Sequence, residues 1–257
     1  ENIEQVVKQF SQAIITHEKR PGSYAARNQG ISLAKGEIIA FTDADCIPTT
    51  EWLEKGVANL ISNPNCGLVG GKIDLFFVNS ERPTPVELYD NIKLGFPQQK
   101  FIEESNYAAT ANLFTWKKTI DAVGLFDDSL KSSGDREWGQ RVFSAGYKLV
   151  YAEDTCVRHP ARYSWSQLRK KIVRVVGGHQ DLDKLREKSS IKFFLNSFKD
   201  SLQDILPPFR MYFYIWSYES LKDNRQRLQF TMAMIFVRHL RAWERMRLLL
   251  GGSSDRG

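Results

Sequence analysis

The order of apolar and polar positions in the first 160 residues or so predicts short strands alternating with helices. Ile38–Thr42 is a short, continuous apolar run, which is typical of a strand buried on both faces of a parallel sheet. A helix is predicted before it, ending near Ala34, and another after it, beginning near Thr50. This alternation favours an α/β fold with parallel strands at the centre of its sheet.

Other segments predict further elements and a second region. Apolar runs predict strands over 67–73, 75–78 and 147–151, and a short strand over 13–17 that follows a helix over 3–11. From Trp165 onward nearly every segment has a helical pattern, with breaks predicted at Gly177 and Gly178 and at Pro207 and Pro208. We therefore expect an α/β domain over 1–162 and a helical region over 163–257.

Charge and cysteine content narrow the function classes. The net charge is +6; residues 161–257 carry 19 Lys and Arg against 9 Asp and Glu, and the first 160 residues carry 17 against 21. An acidic front half suits a divalent metal and a basic rear half suits phosphates or an anionic surface, although solvated helix faces would give the same asymmetry. The three isolated cysteines argue against a disulfide scaffold or a structural zinc site and fit a reducing compartment.

Two carboxylates follow the Ile38–Thr42 run directly. Asp43 and Asp45 would lie beyond the carboxyl end of a strand, where open α/β sheets bind their ligands. Uncompensated burial of two charges is costly, so a cation is their natural partner. Oxygen ligands suit Mg²⁺ or Mn²⁺ shared with substrate phosphates. A strand-end turn with a capping aspartate would also explain an isolated pair.

The residues around this pair resemble the family 2 glycosyltransferases of the GT-A fold. The matching motifs occur in the family's order over about residues 20 to 162, and they are Ala26-Arg27-Asn28-x-Gly30, Ala34-x-Gly36, Asp43-Ala44-Asp45, Ala111-Asn112-Leu113, Val123-Gly124-Leu125-Phe126-Asp127, Ser133-Gly134-Asp135-Arg136-Glu137-Trp138-Gly139-Gln140-Arg141 and His159-Pro160-Ala161-Arg162. The resemblance implies a GT-A-like, mixed, mostly parallel sheet flanked by helices. It also implies an inverting, hexosyltransferase-like enzyme that moves a sugar from a nucleotide-diphosphate donor to a hydroxyl of a saccharide or lipid-linked acceptor, in a bacterial polysaccharide or glycolipid pathway.

The resemblance assigns the donor side. Asp45 would be the metal ligand proper, with Mn²⁺ or Mg²⁺ as the cofactor, and Asp43 would contact the ribose or the metal. His159 would complete the coordination, unless it is an ordinary histidine in a surface loop. Arg27 would touch the nucleotide or its phosphates, unless it forms a salt bridge on a helix face. The remaining expected nucleotide-sugar contacts are Asn28, Asn112, Trp138 and Arg174.

The acceptor side centres on the Ser133–Arg141 motif. Asp135 would be the general base that takes the proton of the acceptor hydroxyl, with Glu137 as its rival. One base without an enzyme nucleophile implies a single displacement, hence inversion. Trp138 would form the floor of a sugar site or, equally often for a Trp on a helix, part of the core. Arg141 would anchor the motif helix by an ion pair.

The sequence departs from the family pattern at its beginning. The strand, helix and second strand that usually hold the nucleotide base do not precede Glu1, and about 50 residues would be missing by the usual length of such a unit. The sheet would then expose an edge. We expect the chain on its own to bind nucleotide poorly and to turn over little or no donor.

The basic rear half predicts a surface role. Apolar stretches over 209–216 and 228–237 are bordered by Lys and Arg and are shorter than the roughly 20 residues that span a membrane. Interfacial helices on an anionic membrane, in a cytoplasmic protein peripheral to the inner face of the plasma membrane, would explain them, as would helices packed on the domain or on a second copy in a homo-oligomer. No nucleic-acid partner is predicted. The rival function is a truncated, non-catalytic sugar- or nucleotide-binding module at a membrane surface.

Overall fold

A single mixed sheet organises the front half of the chain. The structure, a computed structural model, describes residues 3–186, 190–206 and 215–255. In these ranges five strands pair in the order β1-β4-β3-β5-β2. The strands are β1 (Ile38–Thr42), β2 (Ile47–Pro48), β3 (Cys66–Phe76), β4 (Asn112–Trp116) and β5 (Lys148–Pro160).

Helices flank this sheet and continue beyond it. Those of the front half are α1 (Ile3–Val7), α2 (Ser23–Leu33), α3 (Trp52–Ser62), α4 (Pro85–Tyr89), a π-helical turn (Asp90–Leu94), α5 (Gln98–Ser105), α6 (Lys117–Val123) and α7 (Gly134–Ser144). The rear half contains α8 (Trp165–Arg186), α9 (Ser190–Ile205) and α10 (Asn224–Leu249). The α/β class, the mixed sheet with flanking helices and the helical rear region are therefore confirmed.

The proportion of parallel pairing differs from the prediction. Among the described strands only β3 and β5 pair in parallel, whereas β1–β4, β3–β4 and β2–β5 are antiparallel. The expectation of a mostly parallel sheet is therefore wrong. The cause is that β4 returns between β1 and β3 in the opposite direction, with Ile38 opposite Trp116, and leaves β1 at the edge.

Side-chain alternation places two cores on opposite faces of the sheet. Leu68 and Leu113 point to the face covered by α2 and α7, while their neighbours Val69 and Phe114 point to the face covered by α3. Trp138 of α7 is fully buried in the first core, and its indole N–H donates to the Gly124 carbonyl at 2.9 Å. Of the two roles predicted for Trp138, the structure places it in the core.

The helical region shares a third core with the front half. Leu88 and Tyr89 of α4 pack against α8 and against Phe230 and Met234 of α10. The break predicted at Gly177 and Gly178 is wrong, because α8 runs through both glycines. In the part of the chain that the structure describes, no helix has the length and hydrophobicity needed to cross a membrane. The break predicted at Pro207 and Pro208 and most of the apolar stretch over 209–216 lie outside the described residues.

The N-terminal predictions hold only in part. The first helix is shorter than predicted and ends at Val7. The strand predicted over 13–17 is wrong, because this segment forms no strand ladder and Ile14 is 74% exposed. An apolar run becomes a strand only when a neighbour pairs with its backbone groups, and the described residues provide none here.

Candidate active site

A cavity of about 940 Å³ lies between the sheet, the start of α7 and the helical region. The register of β2 against β5 places Ile47 opposite Arg158, which holds the loop after β1 beside the end of β5. Six of the predicted site residues line the cavity: Arg27, Asp43, Asp45, Asp135, His159 and Arg174. The other four do not line it: Asn28, Asn112, Glu137 and Trp138.

Asp45 and His159 form one corner of the cavity, with 3.5 Å between Asp45 Oδ1 and His159 Nε2. His159 is buried, and its Nδ1 lies 2.7 Å from the Pro160 carbonyl oxygen. Because a carbonyl only accepts, Nδ1 carries a proton, and in the neutral imidazole Nε2 is the acceptor that faces the carboxylate. Two acceptors at this distance fit a cation between them.

Cys46 is the third potential ligand in this corner. Ligand atoms of Asp45, Cys46 and His159 all lie within 4.8 Å of one another. Burial raises the pKa of the Cys46 thiol, which disfavours the thiolate that a metal ion would bind. The Asp45 carboxylate and the His159 imidazole are therefore the stronger pair of candidate ligands.

Arg27 and Asp43 form an ion pair beside this corner. The guanidinium Nη2 lies 3.0 Å from Asp43 Oδ1, and the guanidinium also lies over the Tyr24 ring. Arg27 thus makes a salt bridge, as one of the two hypotheses predicted, and it also lines the cavity; its contact with a nucleotide stays a prediction. Asp43 already has a counter-charge, whereas the Asp45 side chain is 57% exposed to the cavity.

Asp135 is held by three hydrogen bonds at the start of α7. Its Oδ1 accepts from the Tyr24 hydroxyl at 3.0 Å, and its Oδ2 accepts from the backbone N–H and the hydroxyl of Thr110 at 3.1 and 3.2 Å. Tyr24 accepts in turn from the Gly134 N–H at 2.8 Å. Burial, with the charge of Asp135, raises the pKa of Tyr24, so the phenol remains a donor. A carboxylate offers about four acceptor positions, which leaves one for a substrate hydroxyl.

Glu137 does not line the cavity and instead forms an ion pair with Arg141, which we call the clamp. Both its oxygens accept from Arg141, at 2.7 and 2.9 Å. Arg141 also donates to the carbonyls of Val123 and Leu125. The pair fixes the loop before α7, as predicted for Arg141, and the structure does not bring Glu137 to the candidate site.

Asn28 and Asn112 are buried and bonded within the protein. Asn28 exchanges two hydrogen bonds with the backbone of Phe126. The Asn112 oxygen accepts from the Trp52 indole, and its amide donates to the carbonyls of Lys72 and Thr155. Neither residue lines the cavity. Their observed hydrogen bonds hold backbone segments in place, and their predicted contact with the donor stays a prediction.

Basic residues dominate the cavity wall, and most of them were not predicted. Among the described residues the acidic lining is limited to Asp43, Asp45 and Asp135, against nine basic residues: Arg27, Lys93, Lys131, Arg136, Arg162, Lys170, Lys171, Arg174 and Arg241. Such an excess of positive charge attracts anionic ligands.

A buried carboxylate outside the cavity holds part of this wall. Asp90 has no exposed surface; it accepts from the backbone N–H of Arg162 at 3.0 Å and from its guanidinium at 3.1 Å, and it lies 3.5 Å from Lys171 Nζ. Burial lowers the pKa of Lys171 to about 8, with the charges of Arg162 and Arg174 acting in the same direction and Asp90 opposing them. These partners are 72 or more residues apart, so no local pattern reveals them.

Several known proteins are similar to this chain in sequence. Residues 1–123 match the family model for glycosyl transferase family 2. The chain is 39% identical over 179 residues to glycosyltransferase AglE of Haloferax volcanii, a match that covers 68% of this chain and 57% of that protein. It is 29% identical over 165 residues to pre-mycofactocin glycosyltransferase of Mycobacterium tuberculosis, over 63% of this chain and 34% of that protein. The chain thus spans less than two thirds of either relative.

A solved structure shares the fold. The mannosyltransferase PcManGT from Pyrobaculum calidifontis, in complex with GDP-Man and Mn²⁺, superposes with a TM-score of 0.54 at 14% identity. The match covers 94% of this chain and 73% of that one. At this identity the similarity shows the architecture alone.

Proposed function

The chain belongs to glycosyltransferase family 2, and we propose that it transfers a sugar from a nucleotide-diphosphate donor to a hydroxyl of an acceptor, with inversion. One observation carries the proposal: a single cavity contains the Asp45–His159 ligand pair and a carboxylate, Asp135, held by three donors. The first suits a diphosphate leaving group and the second suits an attacking hydroxyl.

We assign the donor diphosphate to the Asp45–His159 corner. A divalent cation held by these two residues would offset the charge that develops on the leaving diphosphate. Mn²⁺ fits better than Mg²⁺, because Mg²⁺ takes oxygen ligands and His159 offers nitrogen; PcManGT was solved with Mn²⁺ and GDP-Man. Arg27 neutralises Asp43 beside it and has further N–H groups for the nucleotide.

We assign the acceptor hydroxyl to Asp135. As the hydroxyl oxygen bonds to the anomeric carbon, the bond from that carbon to the diphosphate breaks and the hydroxyl proton passes to the carboxylate. Tyr24 and Thr110 keep the carboxylate in one orientation, which lowers the cost of reaching the reactive geometry. One displacement inverts the anomeric configuration.

Contact with an anionic membrane surface is a further part of the proposal. The inner side of α10 packs in the third core, but Leu228, Met232 and Trp243 on the same helix are more than half exposed. The helix carries six arginines and a single glutamate. Apolar side chains beside a cationic helix surface are typical of interfacial helices. Flotation with vesicles containing anionic lipid should recover the protein at low salt, Trp243→Ser should weaken recovery, and failure of the unmodified protein to float would exclude the contact.

The test of the main proposal is release of nucleoside diphosphate from a panel of nucleotide sugars with Mn²⁺, accumulated over hours. Asp135→Asn should lower the rate by roughly a hundredfold to ten-thousandfold and leave Mn²⁺-dependent binding of the nucleoside diphosphate intact, whereas Asp45→Asn should remove both. Glu104→Gln, at an exposed pair on α5, is the control. Turnover of Asp135→Asn at the unmodified rate would refute the assignment, and the absence of Mn²⁺-dependent binding of a nucleoside diphosphate would favour the non-catalytic module.

A further inference from the structure

The cavity has a second cationic corner, built by different elements from those that provide Asp45 and His159. We call it the arginine corner. It comprises the loop before α7, the first turn of α7, the middle of α8 and one residue of α10. Its side chains are Ser132, Ser133, Arg136, Arg174, His179 and Arg241.

The close packing of α8 against the loop before α7 forms this corner. A Cβ on Gly178 would lie 2.5 Å from the Ser132 Cβ and 3.0 Å from the Ser133 hydroxyl, so the approach requires glycine at this position. His179 follows Gly178 directly and therefore lies beside the first turn of α7, which carries Arg136.

The arginines of this corner lack counter-charges. Elsewhere in the cavity, Arg27 pairs with Asp43, and Arg162 and Lys171 pair with Asp90. In contrast, none of the salt bridges in the described part of the chain involves Arg136, Arg174 or Arg241, although all three line the cavity. An anionic ligand bound there would supply the missing counter-charge.

The electrostatics of His179 also indicate a site for an anion. His179 is open to the cavity, yet desolvation by the surrounding protein lowers its pKa, and the positive charges of Arg136, Arg241 and Arg245 lower it further against the opposing effect of Asp183. Arg245 is paired with Asp204, so the uncompensated charge comes from Arg136 and Arg241.

We propose that the arginine corner binds a phosphate or diphosphate group carried by the acceptor. The inference rests on the proposed function, because Asp135 would receive the acceptor hydroxyl and Arg136 is the next residue along α7. A guanidinium group can donate two parallel hydrogen bonds to the oxygens of one phosphate, and the hydroxyls of Ser132 and Ser133 are additional hydrogen-bond donors. Three unpaired arginines balance more charge than one sugar carboxylate carries, which favours a phosphate ester.

The experiment is titration calorimetry on the 257-residue chain in low-salt buffer with EDTA, using glucose 1-phosphate, farnesyl phosphate and glucuronic acid as probes. We expect a phosphate ester to bind without metal and glucuronic acid to bind at least tenfold more weakly. The Arg136→Gln/Arg241→Gln variant should lose about tenfold to a hundredfold in affinity, given the usual strength of charged hydrogen bonds. Asp45→Asn should bind like the unmodified chain.

Matched variants separate this inference from its premise. Lys222→Gln/Arg225→Gln removes the same charge from exposed positions of the same chain and should change nothing. Arg241→Gln alone should weaken binding even if substitution of the partly buried Arg136 impairs folding, which melting temperatures would report. Mn²⁺-dependent binding of a nucleoside diphosphate should be lost in Asp45→Asn and kept in Arg136→Gln/Arg241→Gln.

The titration results either support or overturn a phosphate site at the arginine corner. Stronger binding of glucose 1-phosphate indicates a sugar phosphate, and stronger binding of farnesyl phosphate indicates a lipid phosphate; both support the inference. It is overturned if neither ester binds without metal, if the double arginine variant binds them normally, or if that variant loses Mn²⁺-dependent nucleotide binding instead. If Asp45→Asn leaves nucleotide binding unchanged, the donor-site assignment is refuted. The inference about the arginine corner is then still decided by the metal-free titrations with phosphate esters.

Discussion

Replacing Asp90 by asparagine should be among the most destabilising single changes in the front half of the chain. The Asp90 side chain is completely buried and is the only carboxylate paired with Arg162 and Lys171 among the described residues. These two side chains are only 17% and 11% exposed. The substitution therefore leaves two buried cations without a counter-charge and turns an amide N–H₂ toward one of them.

The expected loss in the free energy of unfolding follows from this burial. Removing one partner of a buried ion pair costs about 3–5 kcal/mol. Because about 1 kcal/mol shifts the melting temperature of a domain of this size by roughly 2–4 °C, Asp90→Asn should melt roughly 6–20 °C lower. Urea unfolding followed by circular dichroism gives the free energy of unfolding directly. Glu51→Gln, which breaks the exposed pair with Lys55, is the matched control and should cost less than about 1 kcal/mol.

A pH series tests the same reasoning from the cation side. Burial already lowers the pKa of Lys171 to about 8, and removal of Asp90 should lower it further. The cost of Asp90→Asn should therefore be smaller at pH 9, where Lys171 loses its proton, than at pH 7, while Arg162 stays charged at both. A free energy of unfolding within about 1 kcal/mol of the unmodified chain at pH 7 would refute the account of this cluster.

Three further substitutions test other contacts. Tyr24→Phe removes one hydrogen bond to Asp135 and the acceptor of the Gly134 N–H. We expect turnover of the nucleotide sugar to fall about tenfold, in line with the net strength of one hydrogen bond, with Mn²⁺ binding unchanged. An unchanged turnover would contradict the positioning role of Tyr24. Glu137→Gln should lower the free energy of unfolding by about 1 kcal/mol, measured in urea, because it weakens the clamp through Arg141; a large loss of turnover by the folded variant would instead restore Glu137 as a base. Lys171→Met should remove a rise of stability with pH between about 8 and 10.5, since the folded pKa of Lys171 lies below its ordinary value of 10.5 and the unfolded chain binds more protons in that window. A rise that persists in the variant would assign it to another group.

Local patterns were sufficient to predict the elements that depend on neighbouring residues. The apolar run Ile38–Thr42 is a strand, the helix before it ends at Leu33, and the motif helix begins at Gly134. Motif order also identified Asp45, Asp135 and His159, which the fold brings into one cavity. The predictions of these elements succeeded because strand ends and helix starts are encoded within a few residues of one another, whereas the roles of the three site residues stay predictions.

The features of the fold and the site that the sequence did not predict depend on contacts between residues far apart in the chain. The antiparallel pairing of β1 with β4 places Ile38 opposite Trp116, and the Tyr24–Asp135 bond joins residues 111 positions apart. Nothing near Asp90 indicates that Arg162 and Lys171 will surround it. Arg136 did carry a local signal, because a cation in the first turn of a helix opposes the helix dipole and is unfavourable there without a ligand or partner.

The proposed function depends first on Asp45 and His159 holding the divalent cation of a donor site. Titration of Mn²⁺ in the presence of a nucleoside diphosphate, followed by electron paramagnetic resonance of the free ion, measures this directly. We predict one Mn²⁺ per chain, affinity reduced at least tenfold in Asp45→Asn and in His159→Ala, and unchanged affinity in Asp154→Asn, an exposed carboxylate on β5. Mn²⁺ binding by either site variant with the affinity of the unmodified chain would contradict the account.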